Sequence, residues 1–223
     1  MKTVEIKGLG EEIPVSKIIC IGQNYAAHNK EMKSETPTTP VFFLKPTTAI
    51  VKNGGDVVLP SVSHDVHHEV ELTVLIGKDG KNIPQKSAME YVAAYGVGLD
   101  MTLRDVQNDA KKKGLPWTLA KGFDTSAPLS TFVPAKQVPD PSSLLLRLSV
   151  NGIKRQHSGT NDLIFSVDKL IAYISQFITL EKGDVFYTGT PQGVGQVKSG
   201  DVLEATLSDS AGAILTSLSV HIR

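Results

Sequence analysis

Several residue types and patterns that mark whole classes of protein are scarce or absent in this sequence. Cys20 is the single cysteine among 223 residues, so no internal disulfide can form. No apolar run reaches about 18 residues, and residues 1–17 contain no apolar core of a secretory signal, so we expect a cytoplasmic protein without a membrane partner. The 23 Lys and Arg residues balance the 23 Asp and Glu residues, which argues against a nucleic-acid partner.

Familiar catalytic motifs are missing as well. Residues 188–195 are rich in glycine but lack the Gly-Lys-Ser/Thr ending of a phosphate-binding loop, which leaves a carboxylate-binding loop or a tight turn as interpretations. His68-Glu69 has no second His at the spacing of a helical zinc-protease motif. No Gly-x-Ser-x-Gly sequence is present, and Cys20 falls in a predicted strand, so a covalent hydrolase is disfavoured.

The residues that are present predict one mixed α+β domain covering residues 1–223. An apolar content of 40% is ordinary for a globular domain of this length, and 19 Gly with 12 Pro residues fit short strands and many turns. The predicted strands, the first of them in a short N-terminal segment of residues 1–14, cover 3–6, 17–22, 41–44, 57–59, 67–76, 144–150 and 184–187. Hairpin turns are expected at 78–80, 151–152 and 208–212.

Helices are fewer than strands. The segments with helical character cover 23–32, 87–96, 102–114 and 167–178. Ser87 and Glu90 have the spacing of a capping box, as do Thr102 and Asp105, so each pair is expected to open a helix. Residues 111–113 are three lysines, which we interpret as a solvated basic helix end.

Three acidic residues form a candidate metal site. Glu69 and Glu71 project from the same face of a predicted strand because side chains alternate with period two. Asp100 ends another apolar segment. Carboxylates without cysteine or an obligatory histidine favour Mg²⁺ or Mn²⁺, and one divalent ion would leave about one negative charge for nearby cations to balance. The alternative is a solvated strand face with a helix-capping acid.

His28 and Glu31 form a candidate general-base pair. They are neighbours at i and i+3 on a helical turn, and a carboxylate beside an imidazole raises its pKa and fixes its tautomer. A polar helix surface explains the same pattern equally well. Residues 34–40 are polar and contain two prolines, which is typical of a mobile segment over a site. Lys121 stands among apolar neighbours, where its ammonium would hold an anion.

A set of motifs, in order, resembles the fumarylacetoacetate hydrolase family. The motifs lie at 22–25 with His28 and Glu31, 43–46, 67–72, 98–107, 114–121 and 188–191. The resemblance runs from about residue 15 to the C-terminus and is closest to the small acylpyruvase and oxaloacetate decarboxylase branch. It implies a mixed β-sandwich roll with a few short helices, assembled as a homodimer.

The resemblance also implies roles for particular residues. Mg²⁺ or Mn²⁺ would be held by Glu69, Glu71 and Asp100. The catalytic residues implied are His28, Glu31 and Lys121, with His28 and Glu31 on a lid of about residues 24–40. The substrate-binding residues implied are Tyr25, Arg104, Gln107, Gly189 and Thr190.

The activity implied is metal-dependent hydrolysis of a carbon–carbon bond in acylpyruvates. These are 2,4-dioxo acids such as acetylpyruvate or fumarylpyruvate, and the products are pyruvate and a carboxylic acid. A small anionic 2-oxo acid is therefore the expected partner. Decarboxylation of oxaloacetate, its keto–enol tautomerisation, and isomerisation or decarboxylation of dienedioates from aromatic degradation are alternatives, because all use stabilisation of an enolate. A β-rich binding module holding a structural Ca²⁺ is the non-enzymatic alternative.

Overall fold

A computed structural model describes residues 2–10 and 12–223. The strands are β1 (Thr3–Glu5), β2 (Glu12–Pro14), β3 (Ile18–Gly22), β4 (Val41–Lys45), β5 (Ile50–Lys52), β6 (Asp56–Val57), β7 (Val66–His68), β8 (Val70–Ile76), β9 (Val92–Leu99), β10 (Thr102–Leu103), β11 (Ala127–Leu129), β12 (Val133–Pro134), β13 (Leu145–Val150), β14 (Ile153–Gly159), β15 (Val185–Tyr187), β16 (Gly195–Gln196), β17 (Val202–Ser208) and β18 (Ile214–Ile222). The α-helices are α1 (Ala26–Glu31), α2 (Arg104–Lys113), α3 (Thr118–Lys121) and α4 (Val167–Ile174). Short 3₁₀ helices cover Thr47–Ala49, Gln85–Tyr91, Ala135–Gln137, Pro141–Ser143 and Thr160–Asp162.

The strands form two large sheets and two small ones. The central sheet has the order β4-β3-β15-β8-β9-β11-β5, with β12 also paired to β9, and it mixes parallel and antiparallel pairs. The second large sheet has the order β14-β13-β17-β18-β6. The expected α+β class, dominated by strands with a few short helices, is confirmed.

Strand β8 is buried on both faces, which explains its continuous apolar run. Val70, Leu72 and Val74 face one core, which includes residues of β13, β17, β18 and α4. Leu75 faces a second core, built with residues of β3 and β15. Two cores on opposite faces hold the central sheet in place, and Glu71 projects from the face of Leu75.

Two predictions near β8 and β9 are wrong in detail. The predicted strand 67–76 is interrupted at Glu69, since β7 and β8 belong to different sheets. The predicted helix from Ser87 to Gly96 is a 3₁₀ helix that ends at Tyr91, and Gly96 lies inside β9. A Cβ at Gly96 would lie 2.9 Å from the Thr73 hydroxyl, so this glycine allows close strand packing rather than ending a helix.

The helix-capping predictions are also corrected. Helix α2 starts at Arg104 without a side-chain cap, because the Thr102 hydroxyl donates to the Asp100 carbonyl instead, at 3.0 Å. Helix α4 ends at Ile174, earlier than the predicted residue 178, and Phe177 beyond it is exposed. Within residues 2–10 and 12–223, no helix has both the length and the apolar character needed to cross a membrane.

Candidate active site and metal centre

Antiparallel pairing of β8 with β9 brings the three predicted acidic residues together. Val70 pairs with Leu99, so Glu69 and Asp100 lie side by side just beyond the paired ends, where the Asp100 N–H donates to the Glu69 carbonyl at 2.8 Å. One carboxylate oxygen from each of Glu69, Glu71 and Asp100 lies within 4.8 Å of the others. All three side chains are buried, so their negative charges repel each other without much screening by water.

Three buried cations form ion pairs with two of these carboxylates. The Lys121 ammonium lies 2.7 Å from Glu69 and 2.6 Å from Asp100. Lys45 lies 2.8 Å from the other Asp100 oxygen, and Arg104 donates to Glu69. Burial alone would raise the pKa of Glu69, but Lys121 and Arg104 together hold that pKa well below its usual value. Glu69 is therefore ionised.

Glu71 has a different environment. The Gly189 N–H donates to Glu71 at 2.7 Å, and no Lys or Arg of the described residues lies within ion-pair distance of this carboxylate. Burial, with the negative charges of Asp100 and Glu69, raises the pKa of Glu71 well above its usual value. A divalent cation would place positive charge beside Glu71, and a set of three carboxylates is suited to a hard ion. The residues therefore fit Mg²⁺ or Mn²⁺.

His28 and Glu31 are held together over the acidic residues. His28 Nδ1 lies 3.2 Å from Glu31, and Glu31 also accepts hydrogen bonds from the Gly193 N–H at 3.1 and 3.2 Å. The pKa of His28 lies below its usual value because burial outweighs the opposing influence of Glu69 and Glu31. Glu31 does raise the pKa of His28, as the sequence predicted, but the net shift of that pKa is downward, so the predicted direction is wrong. His28 is neutral near pH 7, as a general base must be.

A cleft above the three acids contains most of the predicted site residues. Those lining it are His28, Glu69, Glu71, Asp100, Arg104, Gln107, Lys121 and Thr190. Its outer walls include Phe43, Trp117 and two residues that follow α1, Met32 and Ser34. A cleft that combines convergent polar groups with aromatic and apolar side chains is the usual form of a site for a small molecule.

Two predicted substrate-binding residues lie outside the cleft lining. The buried Tyr25 hydroxyl donates to the Gly159 carbonyl at 3.4 Å. Gly189 has φ +102°, and a Cβ there would lie 2.6 Å from Asn24, so only glycine lets its N–H reach Glu71. In this structure Gly189 contacts a carboxylate of the protein, in agreement with the carboxylate-binding interpretation of its loop.

Two buried residues of the site are missing from the sequence-based set. Lys45 pairs with Asp100 and donates to the Ser126 carbonyl at 3.0 Å. Gln156 accepts from the Val70 N–H at 3.0 Å and donates to the Thr190 hydroxyl at 2.9 Å, so it ties the start of β8 to the glycine-rich loop. Neither contact follows from local sequence, because each joins residues more than 30 positions apart.

Lys111 is exposed, as predicted for a solvated basic helix end, and it also lines the cleft. Its neighbour Lys112, with a side chain that is 77% exposed, does not line the cleft. The Lys111 ammonium lies 5.2 Å from the centre of the Trp117 ring, within the range of a cation–π contact. Burial and the charge of Arg104 lower the pKa of Lys111.

The sequence of this chain is similar to a known protein family and to proteins named as enzymes. The family described as fumarylacetoacetate (FAA) hydrolase C-terminal matches residues 17–219. The mouse protein named oxaloacetate tautomerase FAHD1, mitochondrial, is 54% identical over 188 residues, which are 84% of this chain and 85% of the mouse protein. The Dictyostelium discoideum protein named oxaloacetate decarboxylase, mitochondrial, is 49% identical over 193 residues, covering 86% of this chain and 88% of that relative.

A solved structure has the same fold. Fumarylpyruvate hydrolase from Pseudomonas aeruginosa, in complex with Mn²⁺ and pyruvate, superposes with a TM-score of 0.92. The two sequences are 38% identical, and the match covers 99% of this chain and 95% of the other. That relative binds a divalent metal and a 2-oxo acid.

Proposed function

Because this chain belongs to the fumarylacetoacetate hydrolase family, we propose that it is a metal-dependent enzyme of 2-oxo acids whose main activity is keto–enol tautomerisation of oxaloacetate. The observation that carries the proposal is the buried set of Glu69, Glu71 and Asp100 beneath the His28–Glu31 pair. The 54% identity to a mouse oxaloacetate tautomerase supports the choice of reaction. These features support an enzyme over a module that only binds Ca²⁺.

Glu69, Glu71 and Asp100 would hold Mg²⁺ or Mn²⁺. When bound there, the ion supplies Lewis-acid chemistry, drawing charge from the oxygens of a 2-oxo acid. Lys121 lies against Glu69 and Asp100 and also lines the cleft, so its ammonium is placed to stabilise negative charge on the 2-keto oxygen. Burial opposes the charge of Lys121, but Asp100 and Glu69 raise its pKa, so it stays protonated.

His28 is the residue that we propose to move the proton. In the tautomer whose Nδ1–H donates a hydrogen bond to Glu31, Nε2 carries no proton and is left for the substrate. Neutral His28 takes a proton from C3 of oxaloacetate and returns it to the C2 oxygen to give the enol, and the reverse sequence gives the keto form. Atoms and charge balance without a co-reactant. Glu31, fixed by Gly193, orients the ring.

Polar residues of α2 and the glycine-rich loop would orient the substrate. Each guanidinium nitrogen of Arg104 has a partner: Nη1 donates to Gln107, Nη2 to Glu69, and Nε to His67 at 3.4 Å. We therefore propose that Arg104 positions Gln107, whose NH₂ group donates to the substrate. The Thr190 hydroxyl donates to the Val70 carbonyl, so its backbone N–H is the group proposed for substrate binding.

Hydrolysis of acylpyruvates is the second candidate function. The 38% identity to fumarylpyruvate hydrolase supports it, and the His28–Glu31 pair suits activation of water. In this reaction His28 removes a proton from water, and the hydroxide adds to C4 of acetylpyruvate. The C3–C4 bond then breaks to give acetate and the enolate of pyruvate, which takes a proton at C3. Decarboxylation of oxaloacetate would give the same enolate without water.

One experiment compares these activities in the same preparation. The protein is assayed with Mg²⁺ for loss of the enol absorbance of oxaloacetate, for CO₂ release from oxaloacetate, and for pyruvate release from acetylpyruvate. We expect enol conversion to have the highest kcat/KM. Faster pyruvate release would assign the chain to the hydrolases, and faster CO₂ release to the decarboxylases. Activity in none of the three assays would overturn the proposal.

The homodimer and the cytoplasmic location stay predictions. An apolar surface depression lined by Val62, Leu103, Val106, Leu119 and Phe123 supports the homodimer, since Val62 is 74% and Leu119 78% exposed. Sedimentation velocity would measure the mass in solution. The mouse and Dictyostelium relatives are named as mitochondrial, so the compartment of this chain requires its own localisation experiment.

A further inference from the structure

Helix α2 presents a row of three polar residues to the cleft. Arg104, Gln107 and Lys111 all line it, and their spacing of i, i+3 and i+7 puts them on one face of the helix. A rise of 1.5 Å per residue places the Cα of Lys111 about 10 Å further along the helix axis than that of Arg104. The row therefore runs from the carboxylates at the cleft floor towards its mouth, and it ends in an ammonium group.

Lys111 differs from the other cations of the cleft in having no carboxylate partner. Arg104 pairs with Glu69, and Lys121 pairs with Glu69 and Asp100. Among the residues 2–10 and 12–223, none places a carboxylate oxygen within 4.0 Å of the Lys111 ammonium. The positive charge of Lys111 is thus available to an anion that enters the cleft.

The surroundings of Lys111 make that charge effective. Its ammonium lies 5.2 Å from the centre of the Trp117 ring, which also lines the cleft. The aromatic ring limits the positions of a long, flexible side chain and keeps the ammonium near the mouth. Lys111 is exposed as a residue, but its surroundings in the cleft desolvate part of the side chain, and an ion pair in a partly desolvated position is stronger than one between fully exposed groups.

We propose that Lys111 is a specificity-determining residue that binds the second carboxylate of dicarboxylic 2-oxo acids. The inference rests on the proposed function, in which the first carboxylate and the 2-keto group lie at the cleft floor. Lys111 would then select substrates such as oxaloacetate over 2-oxo acids with an uncharged tail. Lys111 contacts the substrate without taking part in proton transfer.

Binding of two inert ligands tests this role independently of turnover. N-oxalylglycine carries a second carboxylate, whereas N-ethyloxamate has a methyl group in its place. Calorimetry on the Mn²⁺-loaded protein gives the Kd of each ligand for the wild type, Lys111→Met, Lys111→Arg and Lys112→Met. Lys112 is the matched control, because it is 77% exposed and does not line the cleft.

We expect Lys111→Met to weaken N-oxalylglycine binding by about tenfold or more, the value of one charge-assisted hydrogen bond, and to change N-ethyloxamate binding by less than about twofold. Lys111→Arg should restore most of the difference, and Lys112→Met should behave as the wild type. Equal effects of Lys111→Met on both ligands would overturn the inference, as would a wild type that binds both equally or neither.

Kinetics then separate this inference from the proposed function. For oxaloacetate, Lys111→Met should raise KM with little change in kcat, because uniform binding is lost. If the wild type converts oxaloacetate and Lys111→Met has an unchanged KM, only the role of Lys111 fails. If the wild type converts no 2-oxo acid, the proposed function fails, while the two Kd values still decide whether Lys111 binds the second carboxylate.

Discussion

The backbone N–H of Gly189 donates a hydrogen bond to Glu71 at 2.7 Å. Of the three clustered acids, Glu71 is the one without a Lys or Arg partner among the described residues. This hydrogen bond fixes the direction of Glu71 but does not neutralise it. The fold thus presents a buried carboxyl group that either keeps a proton or, once ionised, needs a cation beside it. The environment of Glu71 is therefore the basis of the proposed metal dependence of activity.

Replacement of Glu71 by Gln should remove the stabilisation of the folded protein by Mg²⁺. The raised pKa of Glu71 means that the folded protein binds a proton more tightly than the unfolded chain, so metal-free stability falls as pH rises above about 4.5. In EDTA at pH 8, Glu71→Gln should therefore melt at or above the wild-type Tm. With Mg²⁺ the order should reverse, because the wild type gains stability from the ion.

Thermal melts between pH 6 and pH 8, with EDTA and with Mg²⁺, check this behaviour. Glu204→Gln is the control, since Glu204 is an exposed acid on β17 and should follow the wild type in both conditions. If Mg²⁺ raises the Tm of Glu71→Gln as much as that of the wild type, Glu71 is not a metal ligand.

The fall in rate at low pH should report the protonation of His28. Its pKa lies below 6.5, so kcat/KM for oxaloacetate should be flat near pH 7 and fall about tenfold per unit below that pKa. Glu31→Gln removes an influence that raises the pKa, so this fall should move to lower pH as the maximal rate drops. His28→Asn should lose about 10²–10⁴-fold in rate. A fall that moves to higher pH in Glu31→Gln would count against the pairing.

Gln156→Leu should weaken both the fold and the metal site. The buried amide of Gln156 joins the Val70 N–H to the Thr190 hydroxyl, and leucine would leave both without this partner. We expect a loss of about 2–4 kcal/mol in the free energy of unfolding, together with weaker Mn²⁺ binding. Urea titration and calorimetry measure the two effects. Gln176→Leu, at an exposed position, is the control, and a Gln156→Leu protein as stable as that control would refute the role.

Lys17→Met should reveal a structural ion pair remote from the cleft. Lys17 lies 2.9 Å from Asp184, whose side chain is 0% exposed, and 2.7 Å from Glu181. Removal of Lys17 leaves a buried carboxylate without its cation, so we expect a loss of about 2–3 kcal/mol, less than for a fully buried pair because the Lys17 side chain is 20% exposed. Lys52→Met, which breaks the exposed contact with Glu12, should not change stability measurably. Equal losses in the two variants, measured by urea unfolding, would contradict this assignment.

The alternation of side chains along a strand predicted that Glu69 and Glu71 project from the same face. Asp100, the acid at the end of another apolar segment, completed the candidate metal set, and the structure brings the three together. The strand-rich α+β class of the fold was also predicted from the hydrophobic patterns of the sequence. Local sequence did not reveal the break at Glu69, because it arises from pairing of β7 and β8 in different sheets. The capping-box prediction at Thr102 was wrong because its hydroxyl binds the Asp100 carbonyl.

The cations of the site were harder to predict than its acids. Lys121 was expected to hold a substrate anion, and the structure adds its two ion pairs with Glu69 and Asp100. Lys45 reaches Asp100 from a distant strand, and Lys111 lines the cleft whereas its likewise exposed neighbour Lys112 does not. These partners depend on tertiary packing, which no periodicity within one segment reports.

The most direct test of the account is the rate at which the enol form of oxaloacetate is converted to the keto form, followed by ultraviolet absorbance. Wild-type protein and Glu71→Gln are each measured with Mg²⁺ and with EDTA. We expect rapid conversion by the wild type with Mg²⁺, and rates near the uncatalysed background in the other three samples. Conversion by Glu71→Gln, or by the wild type in EDTA, at the rate of the Mg²⁺-loaded wild type would contradict this expectation.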